Sequence, residues 1–188
     1  MKVLHGFTGS VATKLSPKLA EAYTRLGVDT KIVYSQSAKV FDSCPYNFPR
    51  DRNYEQYAGL DYANYFYDED EWAIYRKDNT VLHIDLIKWA DAFVIAPLSA
   101  NTLAKMANGI CDNLLTCCAR AWNFEKPFIV APSMNDRMYS HPITNKHLDT
   151  LREWGIIVVP PQTKELFCGD VGLGAMANID DILKEIKL

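Results

Sequence analysis

The sequence predicts a three-layer α/β fold, in which helices cover both faces of a doubly wound parallel sheet. Five short apolar runs recur along the chain: KVLHGF at 2–7, TKIVYS at 30–35, DAFVIAP at 91–97, KPFIVAP at 126–132 and GIIVVPP at 155–161. Near-continuous apolar runs of this length are typical of parallel strands that are buried on both faces. Helical patterns separate most of the runs, and strands that alternate with helices indicate a doubly wound sheet.

The helical patterns complete this order. An amphipathic helix follows the loop Thr8 to Ser10 and ends near Leu26, where Gly27 occupies the usual position after a helix C-terminus. Three further patterns cover 99–108, 110–122 and 143–154. The predicted class is therefore a Rossmann-like or flavodoxin-like fold, and we expect residues 1–188 to form a single domain.

The composition is that of an ordinary soluble globular protein. The chain has 188 residues, of which 48% are hydrophobic and 23% charged, with a formal net charge of −3. No basic stripe is present, which argues against nucleic acid as a partner, and the apolar runs are too short to cross a bilayer. Five cysteines, without a CxxC pair or metal-type spacing with the four histidines, indicate free thiols in a reducing compartment. We therefore expect no metal site and a cytoplasmic location.

Two segments stand outside the alternation of strands and helices. Residues 46–75 contain ten aromatic side chains and the acidic run DEDE at 68–71. The rings predict either a loop that covers the sheet edge or a subunit interface or pocket wall, because Tyr and Trp suit places where one end of the ring stays wet. The acidic run by itself indicates a solvated face. The second segment, 163–176, has glycines at 169, 172 and 174 and predicts a flexible flap.

Three strand–loop junctions carry hydroxyl groups, and ligands of open α/β sheets bind outside the carboxyl ends of the strands. The junctions are Thr8 to Ser10, Ser35 to Ser37, and Pro97 to Thr102. The first and third lead into helices, whose exposed N–H groups and dipole favour an anion such as phosphate. N-capping by Ser and Thr explains any one junction, but three at one edge favour a nucleotide-like ligand. None matches GxGxxG or a P-loop, so neither a standard NAD site nor an NTPase is supported.

Three further residues are candidates for chemistry. Asn135 follows the fourth apolar run and Ser133 in APSMNDRMYSHP, and it is either a cap or a neutral donor to a substrate carboxylate. His83 in VLHIDLIKWAD is either a surface or capping histidine or an acid–base group, since imidazole titrates near neutral pH. Cys168 lies in the glycine-rich segment, where a thiol contributes little packing, and is either a free loop cysteine or a proton donor.

Several motifs resemble those of the homo-oligomeric flavin-containing cysteine decarboxylases. PLSANT at 97–102 resembles the PASANT motif, with Leu98 in place of the first Ala, and PSMNDRMY at 132–139 resembles the PxMNxxMW motif, with Tyr139 in place of Trp. GSVA at 9–12 and LFCGDVGLGAMA at 166–177 also match. The stretch 81–122 is more similar still to eukaryotic members that act on phosphopantothenoylcysteine. The similarity covers nearly the whole chain except a Tyr-rich insertion at about 44–66.

The resemblance implies FMN as the cofactor and a homotrimer with the flavin between subunits. By matched position, the flavin contacts come from four loops at the strand ends: Gly9, Ser10, Val11, Ser35, Ser37, Ser99, Ala100, Asn101, Thr102 and Ser133. The phosphate inferred from the hydroxyl-bearing junctions agrees with this cofactor, although the junctions alone do not identify a flavin.

The resemblance further implies a reaction, the conversion of 4'-phosphopantothenoylcysteine to 4'-phosphopantetheine and CO2 in coenzyme A biosynthesis. Flavin oxidation of the substrate thiol to a thioaldehyde creates an electron sink β to the carboxylate, CO2 leaves, and the enethiol is re-reduced. His83 and Cys168 match the catalytic residues, with Cys168 as the proton donor during re-reduction. Asn135 matches the residue that holds the substrate carboxylate. A clamp at about 163–176 closes over the substrate, with backbone contacts from Glu165 and Phe167.

Three alternatives come from related proteins. Some relatives are non-catalytic regulatory subunits that bind a protein phosphatase, but the presence of His83, Asn135 and Cys168 favours an enzyme. A peptidyl-cysteine decarboxylase releases its enethiol without reducing it, and the CGDVGLGAMA segment with its proton donor disfavours that interpretation. A flavin prenyltransferase shares the fold but is not expected to carry this segment.

Overall fold

The computed structural model describes residues 1–41, 64–165 and 171–186, and its centre is a sheet of six parallel strands. The strands are β1 Lys2–Phe7, β2 Asp29–Tyr34, β3 Tyr65–Phe66, β4 Ala92–Leu98, β5 Phe128–Pro132 and β6 Ile157–Val158. Their order is β3-β2-β1-β4-β5-β6, and each neighbouring pair is parallel. The predicted strands and the doubly wound arrangement are confirmed. The edge strand β3 is only two residues long, and the sequence pattern did not indicate it.

Helices connect the strands and follow the last of them. They are α1 Ser16–Arg25, α2 Asp68–Asp78, α3 Leu82–Trp89, α4 Ala100–Ala107, α5 Leu114–Arg120, α6 Asp136–Tyr139, α7 Pro142–Glu153 and α8 Ile179–Glu185. Short 3-10 turns cover Val11–Leu15 and Ala38–Val40. Within the described ranges, no helix combines the length and the apolar character that a bilayer span requires.

Two predicted helices begin later than their sequence patterns indicated. Ser10 caps the 3-10 turn that precedes α1, and Pro17 lies in the first turn of α1, so the regular helix begins only at Ser16. The pattern at 110–122 becomes α5 only from Leu114. Asn113 Oδ1 accepts a hydrogen bond from Thr116 N at 2.8 Å and caps the helix at that point.

The two faces of the sheet carry separate apolar layers. Along β4, Val94 and Ala96 pack in the layer that includes α1 and α8. Phe93 and Ile95 pack in the opposite layer, which includes α3, α4, α5 and α7. Every residue of β4 is buried, as expected of a central parallel strand whose successive side chains point to opposite faces. The three-layer prediction is confirmed.

A separate hairpin holds the two arms of the glycine-rich segment. β7 Gln162–Glu165 pairs antiparallel with β8 Val171–Ala175. Residues 166–170, between the arms, lie outside the described residues, and so do residues 44–63 of the expected Tyr-rich insertion.

The strand order creates a topological switch between β1 and β4. From β1 the chain continues outward to β2 and β3, then returns to β4 and continues outward on the other side to β5 and β6. The loops that leave β1 and β4 at their carboxyl ends therefore diverge and open a crevice, which is the usual ligand site of such sheets. The hydroxyl-bearing junctions lie at this edge.

Candidate functional site

Thr8 joins the two loops at the switch point. Its buried side-chain hydroxyl donates a hydrogen bond to Pro97 O at 2.7 Å and accepts one from Ser99 N at 2.7 Å. Pro97 follows a cis peptide bond with Ala96. Although Thr8 and Ser99 are 91 positions apart in sequence, the adjacent strands β1 and β4 bring them together. One small polar side chain thus sets the separation of the first and third predicted junctions.

The remaining junctions meet at the same place. Ser10 Oγ donates to Ser133 Oγ at 3.1 Å, which joins the loop after β1 to the loop after β5. The Oγ atoms of Ser35 and Ser37 lie 3.3 Å apart after β2. Gly9 packs so closely on Ser37 that a Cβ at Gly9 would lie 2.6 Å from Ser37 Cβ. The predicted convergence is therefore confirmed, and Ser133 adds a fourth junction. We call this cluster the hydroxyl edge; its members are Thr8, Ser10, Ser35, Ser37, Ser99 and Ser133.

Helix ends add N–H groups to the hydroxyl edge. Ser99 Oγ accepts a hydrogen bond from Thr102 N at 3.3 Å and caps α4, so the capping role of Ser99 is confirmed. Ala100 and Asn101 follow in the first turn, where backbone N–H groups have no partner within the helix. Val11 opens the 3-10 turn after Ser10 and is half-buried. Hydroxyls and N–H groups gathered at a switch point are donors that suit phosphate oxygens.

The hairpin lies against the turn that carries Asn135. Met134 N donates to Gly174 O at 3.0 Å. A Cβ at Gly174 would collide with Met134 O, and one at Gly172 would lie 2.7 Å from Asp136 Cβ. Only a residue without a side chain allows β8 to approach this closely, and the φ of +154° at Gly174 favours glycine too. Asn135 is half-buried and caps α6, because its Oδ1 accepts from Arg137 N at 3.0 Å.

His83 lies in the first turn of α3, as predicted, and its partner is an acidic residue. His83 Nδ1 lies 2.8 Å from Glu71 Oε1, and His83 N donates to Glu71 Oε2 at 3.1 Å. Because α3 leads into β4 and runs antiparallel to it, its first turn lies toward the carboxyl edge of the sheet. Within the described part of one chain, no hydrogen bond joins His83 to Asn135 or to the hydroxyl edge.

The interpretation of the acidic run 68–71 as a solvated face is wrong for three of its four residues. Asp68 Oδ1 accepts from Leu114 N at 3.0 Å, at the start of α5. Asp70 is buried, and its Oδ2 accepts from Tyr67 N at 2.7 Å, at the start of α2. Glu71 binds at the start of α3. Glu69 alone follows the prediction, with a side chain 64% exposed and paired with Lys39. Carboxylates at helix N-termini are favourable, but which helix each would cap was not readable from local sequence.

Some predicted site residues are not tested by the structure. Cys168 and Phe167 lie outside the described residues. Glu165 ends β7 and is paired in register with Val171.

A cavity of about 360 Å³ lies elsewhere, near the amino ends of β5 and β6. Its lining is mainly apolar and includes Met106, Ile110, Phe124, Phe128 and Trp154. It shares no residue with the hydroxyl edge, so the site chemistry is argued from the hydroxyl edge and not from this cavity.

Comparison with known proteins agrees with the family resemblance of the motifs, and it does so along the whole chain. A family model described as Flavoprotein matches residues 1–188. A phosphopantothenoylcysteine decarboxylase from Mus musculus is 42% identical over 188 residues, which cover 99% of this chain and 85% of the mouse protein. The Glycine max protein phosphopantothenoylcysteine decarboxylase HAL3b is 56% identical over 122 residues, which cover 64% of this chain and only 57% of the soybean protein.

Solved structures agree with the sequence relatives. A Cys-to-Ser variant of PPC decarboxylase, complexed with pantothenoylaminoethenethiol, superposes with a TM-score of 0.85 at 41% identity and covers 99% of this chain and 96% of that one. The FMN binding protein AtHal3 gives 0.82 at 42% identity, over 99% and 94% of the two chains. Peptidyl-cysteine decarboxylase EpiD gives 0.72 at 27% identity, over 100% and 98%.

Proposed function

We propose a function for this chain on the basis of its family: it belongs to the flavoprotein family and, within it, to the phosphopantothenoylcysteine decarboxylases. The proposed activity is that of an FMN-dependent carboxy-lyase of coenzyme A biosynthesis. It converts 4'-phosphopantothenoylcysteine to 4'-phosphopantetheine and CO2. The observation that carries this proposal is the hydroxyl edge at the β1/β4 switch point, where Thr8, Ser10, Ser99 and Ser133 from three loops are joined by hydrogen bonds. Such a cradle suits the phosphate of a flavin nucleotide.

The hydroxyl edge and its helix ends hold the FMN. Ser10, Ser35, Ser37, Ser99 and Ser133 offer hydroxyls, while Ala100, Asn101 and Thr102 offer the first turn of α4. Gly9 and Val11 let the loop after β1 pass close to the ligand, and the tight contact of Gly9 with Ser37 leaves no room for a side chain. Bound FMN supplies the two-electron oxidation of the substrate thiol and the later return of those electrons.

The protein residues bind the substrate and move its protons. Oxidation of the substrate thiol to a thioaldehyde places an electron sink β to the carboxylate, so that C–C cleavage releases CO2 and leaves an enethiolate. His83 is the acid–base group near the thiol and carboxylate, and Asn135 donates N–H groups to the carboxylate. Cys168 donates the proton that the enethiol needs during its reduction, since an ordinary thiol has a pKa near 8.5 and is protonated at neutral pH.

The hairpin and its neighbours close over the substrate. The clamp covers about 163–176, and β8, which pairs with β7, is seated on the Asn135 turn by Gly172 and Gly174. Backbone groups of Glu165 and Phe167 contact the substrate. This seating supports the clamp, because it joins the segment that carries Cys168 to the residue that holds the carboxylate.

The proposal extends to the organisation of the protein. Residues 1–188 form one domain with a Tyr-rich insertion at about 44–66, and three copies form a homotrimer with FMN between subunits. A second subunit would bring His83 of one chain to the hydroxyl edge of another, which fits the lack of a hydrogen bond between the two within the described part of one chain. We propose a cytoplasmic location, which suits free thiols.

The test is spectroscopic and chemical. Purified protein should carry a yellow flavin chromophore that is released as FMN, and it should form CO2 and phosphopantetheine from phosphopantothenoylcysteine in equal amounts. Protein that stays colourless with excess FMN would contradict the cofactor. Flavin-loaded protein without CO2 release would contradict the decarboxylase and favour the phosphatase-binding regulatory alternative.

The variant Cys168→Ser separates the two halves of the reaction. We expect it to release CO2 but to accumulate the enethiol, because the proton donor for reduction is gone. The related Cys-to-Ser variant complexed with pantothenoylaminoethenethiol supports this expectation. The enethiol has two hydrogen atoms fewer than phosphopantetheine, so mass spectrometry distinguishes the two products by about 2 Da. Full conversion to phosphopantetheine by the variant would remove Cys168 from the mechanism.

A further inference from the structure

The acid–base residue of the proposed function is held by a carboxylate that none of the sequence motifs includes. Glu71 lies in the first turn of α2 with its side chain 13% exposed, and His83 lies in the first turn of α3 with its side chain 23% exposed. Glu71 Oε1 lies 2.8 Å from His83 Nδ1, and Oε2 accepts from His83 N at 3.1 Å. The carboxylate accepts two hydrogen bonds, one from the ring and one from the backbone N–H of the same residue, and together they restrict the ring to a single orientation.

The surroundings of Glu71 at the start of α3 favour a carboxylate at this position. Val81, the N-cap residue of α3, makes no side-chain capping hydrogen bond, so Glu71 supplies the cap from a neighbouring helix. The positive end of the helix dipole is complementary to a carboxylate. Burial, with smaller contributions from Cys111 and from the charge of Glu71, raises the pKa of Cys117 on α5 to about 11. That thiol therefore stays protonated and adds no second negative charge.

The pair decides which ring nitrogen of His83 is available. A carboxylate oxygen can only accept a hydrogen bond, so the proton between Glu71 Oε1 and the ring belongs to Nδ1. In the neutral imidazole the lone pair then lies on Nε2, on the far side of the ring from Glu71. A carboxylate that orients a catalytic histidine in this way favours one tautomer and stabilises the imidazolium that forms after proton uptake.

We propose that Glu71 is a positioning residue, which fixes the ring orientation and the Nδ1–H tautomer of His83 so that Nε2 exchanges the proton with the substrate. This inference rests on the proposed function, in which His83 is the acid–base group. Glu71 acts only through His83 and touches neither substrate nor cofactor.

The decisive variant is Glu71→Gln, with Glu69→Gln as its matched control. Both remove one negative charge from the first turn of α2, but Glu69 is 64% exposed and pairs with Lys39 on the surface. A Gln at 71 can donate its amide N–H to Nδ1 and thereby favour the Nε2–H tautomer. Ring ¹⁵N NMR of histidine-labelled, flavin-loaded protein reports the tautomer directly, and the His83→Asn variant assigns the His83 signals by their absence.

We expect neutral His83 to be the Nδ1–H tautomer in the native protein and in Glu69→Gln, and to change tautomer in Glu71→Gln. We expect kcat for CO2 release to fall roughly 10- to 100-fold in Glu71→Gln, with KM and flavin content nearly unchanged, by analogy with the loss of the partner that orients a metal-bound histidine. A purely structural role of Glu71 would lower the melting temperature without changing the tautomer, and that result would overturn the inference.

The two readouts separate this inference from the proposed function. If the native protein releases no CO2, the proposed function fails, and the ring ¹⁵N comparison still decides whether Glu71 sets the tautomer. If the native protein is active but Glu71→Gln retains its tautomer and full kcat, the inference fails and the proposed function stands. If His83→Asn keeps full turnover, His83 leaves the mechanism and a positioning role for Glu71 is overturned with it.

Discussion

His5 is a buried histidine whose two ring nitrogens are both used within the fold. Nε2 lies 2.8 Å from Ala96 O, which can only accept, so Nε2 carries the proton. Nδ1 then accepts from the Tyr23 hydroxyl at 2.9 Å, and burial raises the pKa of Tyr23, which keeps that hydroxyl protonated. Burial lowers the pKa of His5 to about 4, against the opposing effect of the Ala96 hydrogen bond. His5 is therefore a core histidine whose ring nitrogens are satisfied by one backbone group and one side-chain hydroxyl.

The lowered pKa of His5 makes the stability of the protein depend on pH. Between its unfolded value of 6.5 and its folded value of about 4, the unfolded chain binds more protons, so stability falls as the pH falls through this window. The full effect below both values is about 3 kcal/mol. We expect His5→Gln to be less stable at pH 8 but to show a flatter pH dependence, measured by urea unfolding. The same slope as in the native protein would contradict this assignment.

Gly9 is a residue for which close approach, not backbone conformation, requires glycine. A Cβ at this position would lie 2.6 Å from Ser37 Cβ. We expect Gly9→Ala to push apart the loops after β1 and β2 and to weaken FMN binding about tenfold, consistent with an overpacking cost of about 1–3 kcal/mol. Flavin fluorescence titration measures the affinity.

The control for Gly9→Ala is to remove the atom that it meets. Ser37→Gly alone should weaken FMN binding modestly by removing one hydroxyl, and the double variant Gly9→Ala, Ser37→Gly should bind like Ser37→Gly. Additive losses in the double variant would show that the steric explanation is wrong.

At the scale of elements, α2 is the helix that organises its neighbours. Its first turn caps α5 through Asp68, α2 itself through Asp70 and α3 through Glu71. Burial raises the pKa of Asp68, although its hydrogen bond from Leu114 N lowers it in part. An acidic first turn thus fixes the relative positions of three helix starts, including the one that carries His83.

The hairpin of β7 and β8 is the second element that the proposed function uses. Its seat is the contact between Gly174 and the backbone of Met134. We expect Gly174→Ala to unseat the hairpin, because a Cβ would collide with Met134 O and a φ of +154° disfavours side chains. With strain of about 1–3 kcal/mol, CO2 release should fall roughly tenfold while FMN content is unchanged.

Leu26→Ala is the control outside the hairpin. Leu26 directly follows α1 and its side chain is exposed, so its truncation should leave turnover within about twofold of the native value. If Gly174→Ala were as active as this control, the seating of the hairpin on the Asn135 turn would not matter for catalysis.

At the scale of the whole molecule, we expect a homotrimer that holds FMN between subunits. Light scattering coupled to size-exclusion chromatography should give about three times the chain mass of 21.3 kDa, hence roughly 64 kDa. Since each flavin would lose part of its site when subunits separate, flavin release should increase on dilution together with dissociation. A monomer that retains its flavin at all concentrations would contradict the shared site.

The sequence by itself determined the layers, five of the six strands of the central sheet and the edge at which the hydroxyl-bearing loops meet. Parallel strands can be recognised as apolar runs because both faces of the sheet are covered, so that every residue of a strand such as Ala92–Leu98 is buried. The carboxyl ends of parallel strands lie at one edge of the sheet, so the sequence also predicts that the hydroxyl-bearing residues after those strands meet there. The motifs around Ser99, Asn135 and Cys168 then added the family.

Tertiary structure decided which polar groups pair with which. Thr8 bonds to Ser99 across 91 positions, and Glu71 reaches His83 from a different helix. Local sequence could place Glu71 in an acidic run but could not say that only 13% of its side chain is exposed, because burial depends on how α2, α3 and α5 pack. The spacing of apolar residues indicates which face of a single helix or strand is buried, whereas pairing between distant side chains arises only when the elements pack together.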